Sequence, residues 1–476
     1  MSSKMTRRLH WSELVGLSLC AVVWTARAAV GPQSARPLTL DEAVRYAMKN
    51  YPAVRAARAQ QAQAKGEVSL ARTDYLPRLN ALWQSNRATR NNIFGVLLPQ
   101  PVVPSISGPV LAAANGQSVW GSAAGMLFSW QPFDFGYRSA VVGAAQSSRD
   151  RAEAETALTQ LDVAATAAEA FMGLVAAQQR VAAAQADVQR REVFAKSVHV
   201  LTTNELRPGV DASRADAELA RARIQRIQSE QAQAIAHAAF AQSLGLAGSV
   251  TQIEAGGLLA APPPDSVATP ELTHHPLLAA DQASIEQAMA RVRIQERAYV
   301  PRLDLQSAAF GRGSGAIPDG TVAGGANGLG IERGNWAVGL TVTFPVFDFA
   351  SIRAKKRIEA AGIERQQARY DQAVQALTTE VQKAQAALDA ARQVAAETPT
   401  EVDAARATET QARARYQAGL ATVVDVAEAQ SLLVQAETQD ILARLDIWHG
   451  LLQVAVAKGD IEPFLAIVRQ SGPGGR

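Results

Sequence analysis

Across residues 335–347, large apolar residues alternate with small or polar ones. Trp336, Val338, Leu340, Val342 and Phe344 are interleaved with Asn335, Ala337, Gly339, Thr341 and Thr343. Side chains on a strand point to opposite faces in turn, so this period of two predicts a strand with one bulky face. Residues 119–133 repeat the scheme, with Trp120, Met126, Phe128 and Trp130 on one face and Gly121, Ala123, Gly125 and Ser129 on the other. Each span is long enough to cross an outer membrane at a tilt and carries aromatics near its ends, as a lipid-facing barrel strand does. A strand of a soluble sandwich alternates in the same way, so the pattern alone leaves both readings open. Weaker alternation marks further strands at 79–86 and 303–310. The stretch 87–117, with Pro99, Pro101, Pro104 and Pro109, and the Gly-rich 311–334 read as long loops.

The remaining pattern is helical. Thr39 with Glu42 forms a capping box that opens an Ala-rich helix running to about Asp74. Its counterpart is expected after Thr269-Pro270, with proline at the first helical position. Both helices stop at a repeated motif, Tyr75-Leu-Pro77-Arg-Leu79 and Tyr299-Val-Pro301-Arg-Leu303, because proline drives the residue before it out of helical geometry. From Tyr137 to about Thr203 there is no proline, and Leu158, Leu161, Ala165, Ala168, Met172 and Val175 recur at steps of three and four, as in a coiled-coil seam. At ~1.5 Å per residue such a helix is on the order of 100 Å long, more than a compact domain buries. A turn at Pro208-Gly209 returns the chain to about Leu244. A second helix runs out over 351–417, with a kink or short break expected at Pro399, turns at Gly419 and returns over 422–457.

The chain is duplicated. The Tyr-x-Pro-Arg-Leu motif recurs at an offset of 224 residues, Phe133-Asp-Phe135 recurs as Phe347-Asp-Phe349 at 214, and Gly209 aligns with Gly419 at 210. Matches in the same order indicate two repeats, 38–248 and 270–460. A linker at 249–269, with Gly256-Gly257 and Pro262-Pro263-Pro264, joins them as loop or short strand, and 461–476 is a C-terminal tail.

Composition narrows the function. The 476 residues are 48% hydrophobic and 19% charged, too apolar for a disordered chain. Residues 1–28 read as a signal peptide: Lys4, Arg7 and Arg8, an apolar run to Trp24, and Ala26-Arg-Ala28 before the cleavage point. Cys20, the one cysteine, either leaves with that leader or is an acylation site; Leu19 before it fits acylation poorly. The formal net charge is +3, and removing the leader leaves 43 basic and 43 acidic residues, a balance unsuited to nucleic acid. No apolar run near ~20 residues follows, so a membrane-spanning form would be a barrel. His199, His237, His274, His275 and His449 show no metal-ligand spacing, and the His274-His275 pair reads as a helix start. Neither a phosphate loop nor a nucleophile motif is present. No enzyme activity, metal or cofactor is expected.

Leu38-Thr-Leu-Asp-Glu-Ala-Val44 followed by Asn50-Tyr-Pro52, the doubled Tyr-x-Pro-Arg-Leu, the strand exit Pro132-Phe-Asp-Phe-Gly136, and Tyr416-Gln-Ala-Gly419-x-x-Thr-x-x-Asp425-Val-x-x-Ala-Gln430 resemble the TolC-like outer-membrane efflux proteins. The resemblance covers essentially the whole mature chain. It implies a mixed, mainly α fold. Three copies would each give four strands to one outer-membrane β-barrel, continuous with a long periplasmic α-helical barrel. The implied function is a passive exit duct in the outer membrane, served by an inner-membrane pump through a periplasmic adaptor protein. Physics independently requires a closed oligomer, because four strands cannot close a barrel and an open edge in lipid leaves backbone groups unpaired; the resemblance makes it a homotrimer. A periplasmic coiled-coil adaptor or scaffold is the alternative. It would nest a single hairpin within β-rich domains, whereas here two hairpins each follow paired strands.

Gly209 and Gly419 are expected at positive φ in the hairpin tips, and the resemblance makes those tips the adaptor-contacting mouth. Asp425 completes a capping box with Thr422, and Glu428 favours the positive end of the same helix. Three copies of the two acids would also form an acidic ring that favours cations. The resemblance adds Tyr416 as a gate-lining aromatic, and a basic gate residue two positions after the tip glycine, where this chain has Ala421.

Overall fold

The computed structural model describes residues 37–89, 118–249, 251–259, 274–315 and 324–471. The leader with Cys20, the loop 90–117 and the Thr269-Pro270 helix start lie outside these residues.

Four antiparallel strands make one sheet in the order β1 (Arg78–Thr89), β2 (Ser118–Phe133), β3 (Arg302–Ser314) and β4 (Arg333–Thr343). β4 is shorter than its alternation suggested. It ends before Phe344, because Pro345 offers no N–H to the ladder. The register places one bulky row on a single side of the sheet: Leu79 and Trp83 of β1, Met126, Phe128 and Trp130 of β2, Leu303 and Leu305 of β3, and Trp336, Val338, Leu340 and Val342 of β4. Trp83 is 78% exposed and Trp336 81%. The opposite side carries Asn80, Gln84, Ser129, Gln306, Asn335, Thr341 and Thr343. There Gly125 faces Phe310 across the ladder, and a methyl group on Gly125 would meet the Phe310 Cβ at 2.4 Å. Among the described residues of one protomer, β1 and β4 are both unpaired on their outer edges.

The entry helix is two helices, α1 (Leu40–Asn50) and α2 (Pro52–Thr73). Tyr51, the residue before proline, is extended at ψ 137° and ends α1, the same restriction that stops α2 ahead of Pro77. The Thr39–Glu42 capping box opens α1. From the sheet the chain enters α3 (Tyr137–Thr203, 67 residues) and returns through α4 (Gly209–Ser243). The linker pairs Ile253 with Leu38 and makes a short 3-10 turn at Gly256–Leu259.

The second repeat resumes with α5 (Pro276–Arg297), capped by His275, and after β4 continues as α6 (Phe349–Gln417, 69 residues) and α7 (Val423–Ala457). α6 passes through Pro399 without a break. Proline cannot supply an N–H to the Ala395 carbonyl, and the buried Thr398 hydroxyl lies 3.4 Å from that oxygen and 2.9 Å from the Asp440 carboxylate. The expected tail contains α8 (Glu462–Ser471), with Phe464 and Leu465 wholly buried.

Val44 and Val54, the middle of α3 (Phe171, Leu174), Phe240 of α4, Trp448 and Leu452 of α7, and α8 share one core. Phe171 meets Phe240 edge-on at 5.6 Å, and Trp448 meets Phe464 at 6.4 Å. Among the described residues only α3 contains a window long and apolar enough to cross a membrane, and 61% of that window is buried in the protein.

The two return helices are equal in length. Gly209 opens α4 and Val423 opens α7, 214 residues apart, and both helices contain 35 residues. This is the offset already seen at Phe133 and Phe347, so no insertion separates strand exit from tip. Matching Gly209 to Gly419 is therefore out of register by four residues.

Candidate functional site

Each tip is a helix C-terminus closed by a residue in the left-handed region. In the second hairpin that residue is Gly419, φ 80°, with Leu420 N–H donating to the Arg415 carbonyl at 2.8 Å and Gly419 N–H to that of Tyr416 at 3.1 Å. In the first hairpin it is Glu205, φ 57°, with Leu206 N–H on Leu201 at 2.9 Å and Glu205 N–H on Thr202 at 3.1 Å. The two are the same Schellman closure. Gly209 does not take the expected positive φ. It is the first residue of α4, after Pro208, and its strained role belongs to Glu205.

Tyr416 lies inside the joint between the hairpins rather than on an open face. It is 1% exposed and packs with Phe194, Val198, Ala215, Val423 and Val426. Its ring meets Phe194 edge-on at 5.4 Å, and its hydroxyl donates to Asp211 at 3.4 Å. Burial, reinforced by the Asp211 carboxylate, raises the phenol above its ordinary value despite the opposing charge of Arg207, so it stays protonated. The Arg207 guanidinium stacks over the same ring and donates to the Tyr416 carbonyl. Arg207 precedes Ala421 by 214 residues. The basic residue missing after Gly419 is thus present at the equivalent place in the other repeat. Sequence reasoning missed it because the glycine match hid the register.

Asp425 and Glu428 are exposed at the start of α7. Asp425 realises the capping box: its carboxylate accepts the Thr422 N–H at 2.7 Å and the Thr422 hydroxyl at 2.9 Å, and its own N–H donates to that hydroxyl at 3.3 Å. The Thr422 backbone and hydroxyl, with Arg415 nearby, hold this carboxyl below the usual aspartate value. Asp425, Glu428 and Arg415 line one groove of about 420 Å³ between α6 and α7.

Further along, the hairpins are tied by charge. Arg191 on α3 pairs with Asp187 at 3.0 Å and with Glu218 of α4 at 2.8 Å, and donates to Ser431 of α7 at 2.9 Å. Arg190 reaches Glu437 of α7 at 3.1 Å. Where the sheet meets the helices, Arg138 joins Asp134 at 2.7 Å and the Asp74 carbonyl at 2.8 Å, donates to the Gln131 carbonyl, and covers the Tyr75 ring at 4.7 Å. One buried guanidinium therefore gathers the end of α2, the end of β2 and the start of α3. Among the described residues no three His, Cys, Asp or Glu side chains are placed to hold a metal.

Open sheet edges, a one-sided apolar face and paired hairpins about 100 Å long are the architecture of a channel built from several copies. Protein CyaE of Bordetella pertussis is 27% identical over 436 residues, spanning 89% of this chain and 84% of CyaE. The cobalt-zinc-cadmium resistance protein CzcC of Cupriavidus metallidurans is 29% identical over 218 residues, 45% of this chain and 48% of CzcC. The solved structure of CusC shares the fold, with a TM-score of 0.72 at 16% identity over 88% of this chain and 92% of the other. The model of the outer membrane efflux protein family matches residues 43–246 and 269–459, one block per repeat, and the chain belongs to that family.

Proposed function

We infer that this protein is the outer-membrane exit duct of a tripartite efflux or secretion system, passively conducting cargo that a pump and a periplasmic adaptor deliver. The observation that carries this reading is the sheet. Its bulky face is exposed, its other face is mostly small or polar, and among the described residues both its edges are open. In hydrocarbon each unpaired edge group is costly, so the sheet becomes stable only when copies close it. Three protomers make twelve strands, with the bulky face on lipid and the polar face lining the lumen. The hairpins continue that lumen into the periplasm.

The tips serve as the periplasmic gate and adaptor contact. Asp425 and Glu428 of three protomers form the acidic ring, Tyr416 and Arg207 hold the two hairpins of one protomer together behind it, and the Gly419 and Glu205 turns, with Gly209 opening the return helix, present the adaptor surface. Duct and scaffold are separated by outer-membrane fractionation with gel migration before and after heating. A duct migrates as a heat-modifiable trimer and forms conducting channels in planar bilayers. A water-soluble monomer recovered without detergent overturns the reading.

A further inference from the structure

Among the described residues, the lumen face of the sheet carries Arg78, Arg302, Arg312 and Arg333 against a single acid, Asp304. Three of these charges have partners near the helical end. Arg78 pairs with Asp74 at 2.9 Å, Arg302 stacks on Tyr137 at 4.3 Å, and Asp304 accepts from Gln131 at 2.6 Å. The other end differs. Arg312 of β3 and Arg333 of β4 are direct partners across the ladder, both exposed, and among the described residues neither forms an ion pair. Directly opposite side chains in an antiparallel pair have Cβ atoms about 4.5–5.5 Å apart, and like charges there destabilise the pair. Two guanidiniums on one patch of lumen wall, with ten fixed donors between them, form a site for a multiply charged oxyanion.

We propose that Arg312 and Arg333 from three protomers form a six-arginine, anion-binding ring at the outer end of the barrel. The proposal rests on the duct reading, which sets this face on the lumen. Charged rings select ions of opposite sign, and a low-dielectric wall focuses their field. The duct then carries opposite fixed charges at its ends, acidic at the tips and basic at the outer mouth. The ligand class is phosphate-like or polycarboxylate anions, including acidic segments of cargo leaving the channel.

The test uses the full-length protein in detergent, with inorganic tripolyphosphate as probe in metal-free, low-salt buffer. A ligand that binds the folded trimer raises its dissociation temperature. Tripolyphosphate raises it for the wild type and for R312K/R333K, which keeps the charges, and at least tenfold more probe is needed for the same shift in R312Q/R333Q. Without probe, the glutamine variant forms trimers at least as heat-stable as the wild type, since it relieves a like-charge pair. An equal shift in the glutamine variant, or none in the wild type, overturns the ring. A protein that never migrates as a trimer overturns the duct reading instead.

Discussion

The guanidinium of Arg207, in the first repeat, lies 4.4 Å from the centroid of the Tyr416 ring in the second. Arg207 thereby holds the two hairpin tips together at the point where Tyr416 is sealed against Phe194. A cation over an aromatic face contributes about 0.5–2 kcal/mol, depending on how far it is desolvated.

If the tips must part for the duct to open, Arg207→Ala shifts the open-to-closed ratio upward by about 2- to 30-fold, the Boltzmann equivalent of that contact. Single-channel recording in planar bilayers measures this as longer or more frequent high-conductance events. Tyr416→Phe keeps the ring under the guanidinium and removes only the 3.4 Å bond to Asp211, so its effect is smaller. An equal open-to-closed ratio in Arg207→Ala and wild type would exclude the clamp.

The fold was legible where a single period governed a long segment. The alternations around Trp336 and Met126 gave both strand and face, and the proline-free run after Tyr137 gave α3. What was lost turned on local backbone geometry. Tyr51-Pro52 obeys the same rule as Leu76-Pro77, yet the Ala-rich pattern on both sides conceals the break. Gly209 was matched to Gly419 by residue type. The left-handed position of the first tip is occupied by Glu205, a residue whose Cβ disfavours that region and gives no sequence signal. The four-residue slip hid the equivalence of Arg207 and Ala421, and with it the clamp. The resemblance makes Tyr416 a gate-lining aromatic, whereas its burial depends on Phe194 and Asp211, more than 200 residues away.

Asp425 contributes two things that can be separated. Asp425→Asn keeps a side-chain acceptor for Thr422 but loses the charge, whereas Asp425→Ala loses both. Reversal potentials across a KCl gradient show reduced cation preference in both variants, and only the alanine variant loosens the start of α7. Since the carboxyl is held below its usual value, its charge and the cap are fully present above the ordinary aspartate pKa of about 3.9 and disappear only as pH falls through the lower folded-state value. Cation preference in the wild type therefore persists in baths near pH 4. Unchanged preference in Asp425→Asn removes Asp425 from the gate.

His275 predicts a pH-dependent stability. It is 4% exposed, caps α5 by accepting the Leu277 N–H at 3.0 Å, and faces the Val456 carbonyl and the Asp162 carboxyl. Burial lowers its pKa below the ordinary value, outweighing the Val456 bond and the Asp162 charge. The neutral ring is thus favoured in the folded protein. Its contribution is complete above about pH 6.5 and is lost as pH falls from there toward the folded-state value, because the unfolded chain takes up the proton first. Thermal melts between pH 7.5 and 5 show this decline in the wild type. His275→Asn, which retains a capping acceptor, gives a flatter profile, and identical slopes would count against the assignment.

Arg138 and Asp134 offer the sharpest test of the junction between sheet and helices. Their side chains are 7% and 9% exposed and in contact at 2.7 Å. Removing one member of a buried pair leaves the other charge uncompensated and costs about 3–5 kcal/mol. Arg138→Ala additionally frees the Asp74 and Gln131 carbonyls, which the guanidinium now serves. The second repeat shows that the position accepts an apolar residue: 214 residues on stands Ile352, 5% exposed, and the aspartate equivalent to Asp134, Asp348, is solvent-exposed. The penalty of Arg138→Ala therefore arises from the stranded Asp134 rather than from a general need for charge. Heating trimers before electrophoresis should show Arg138→Ala dissociating at a markedly lower temperature, and the double variant Asp134→Asn with Arg138→Ile recovering part of the loss. If the double variant is no more stable than Arg138→Ala, the carbonyl contacts and not the ion pair hold the junction.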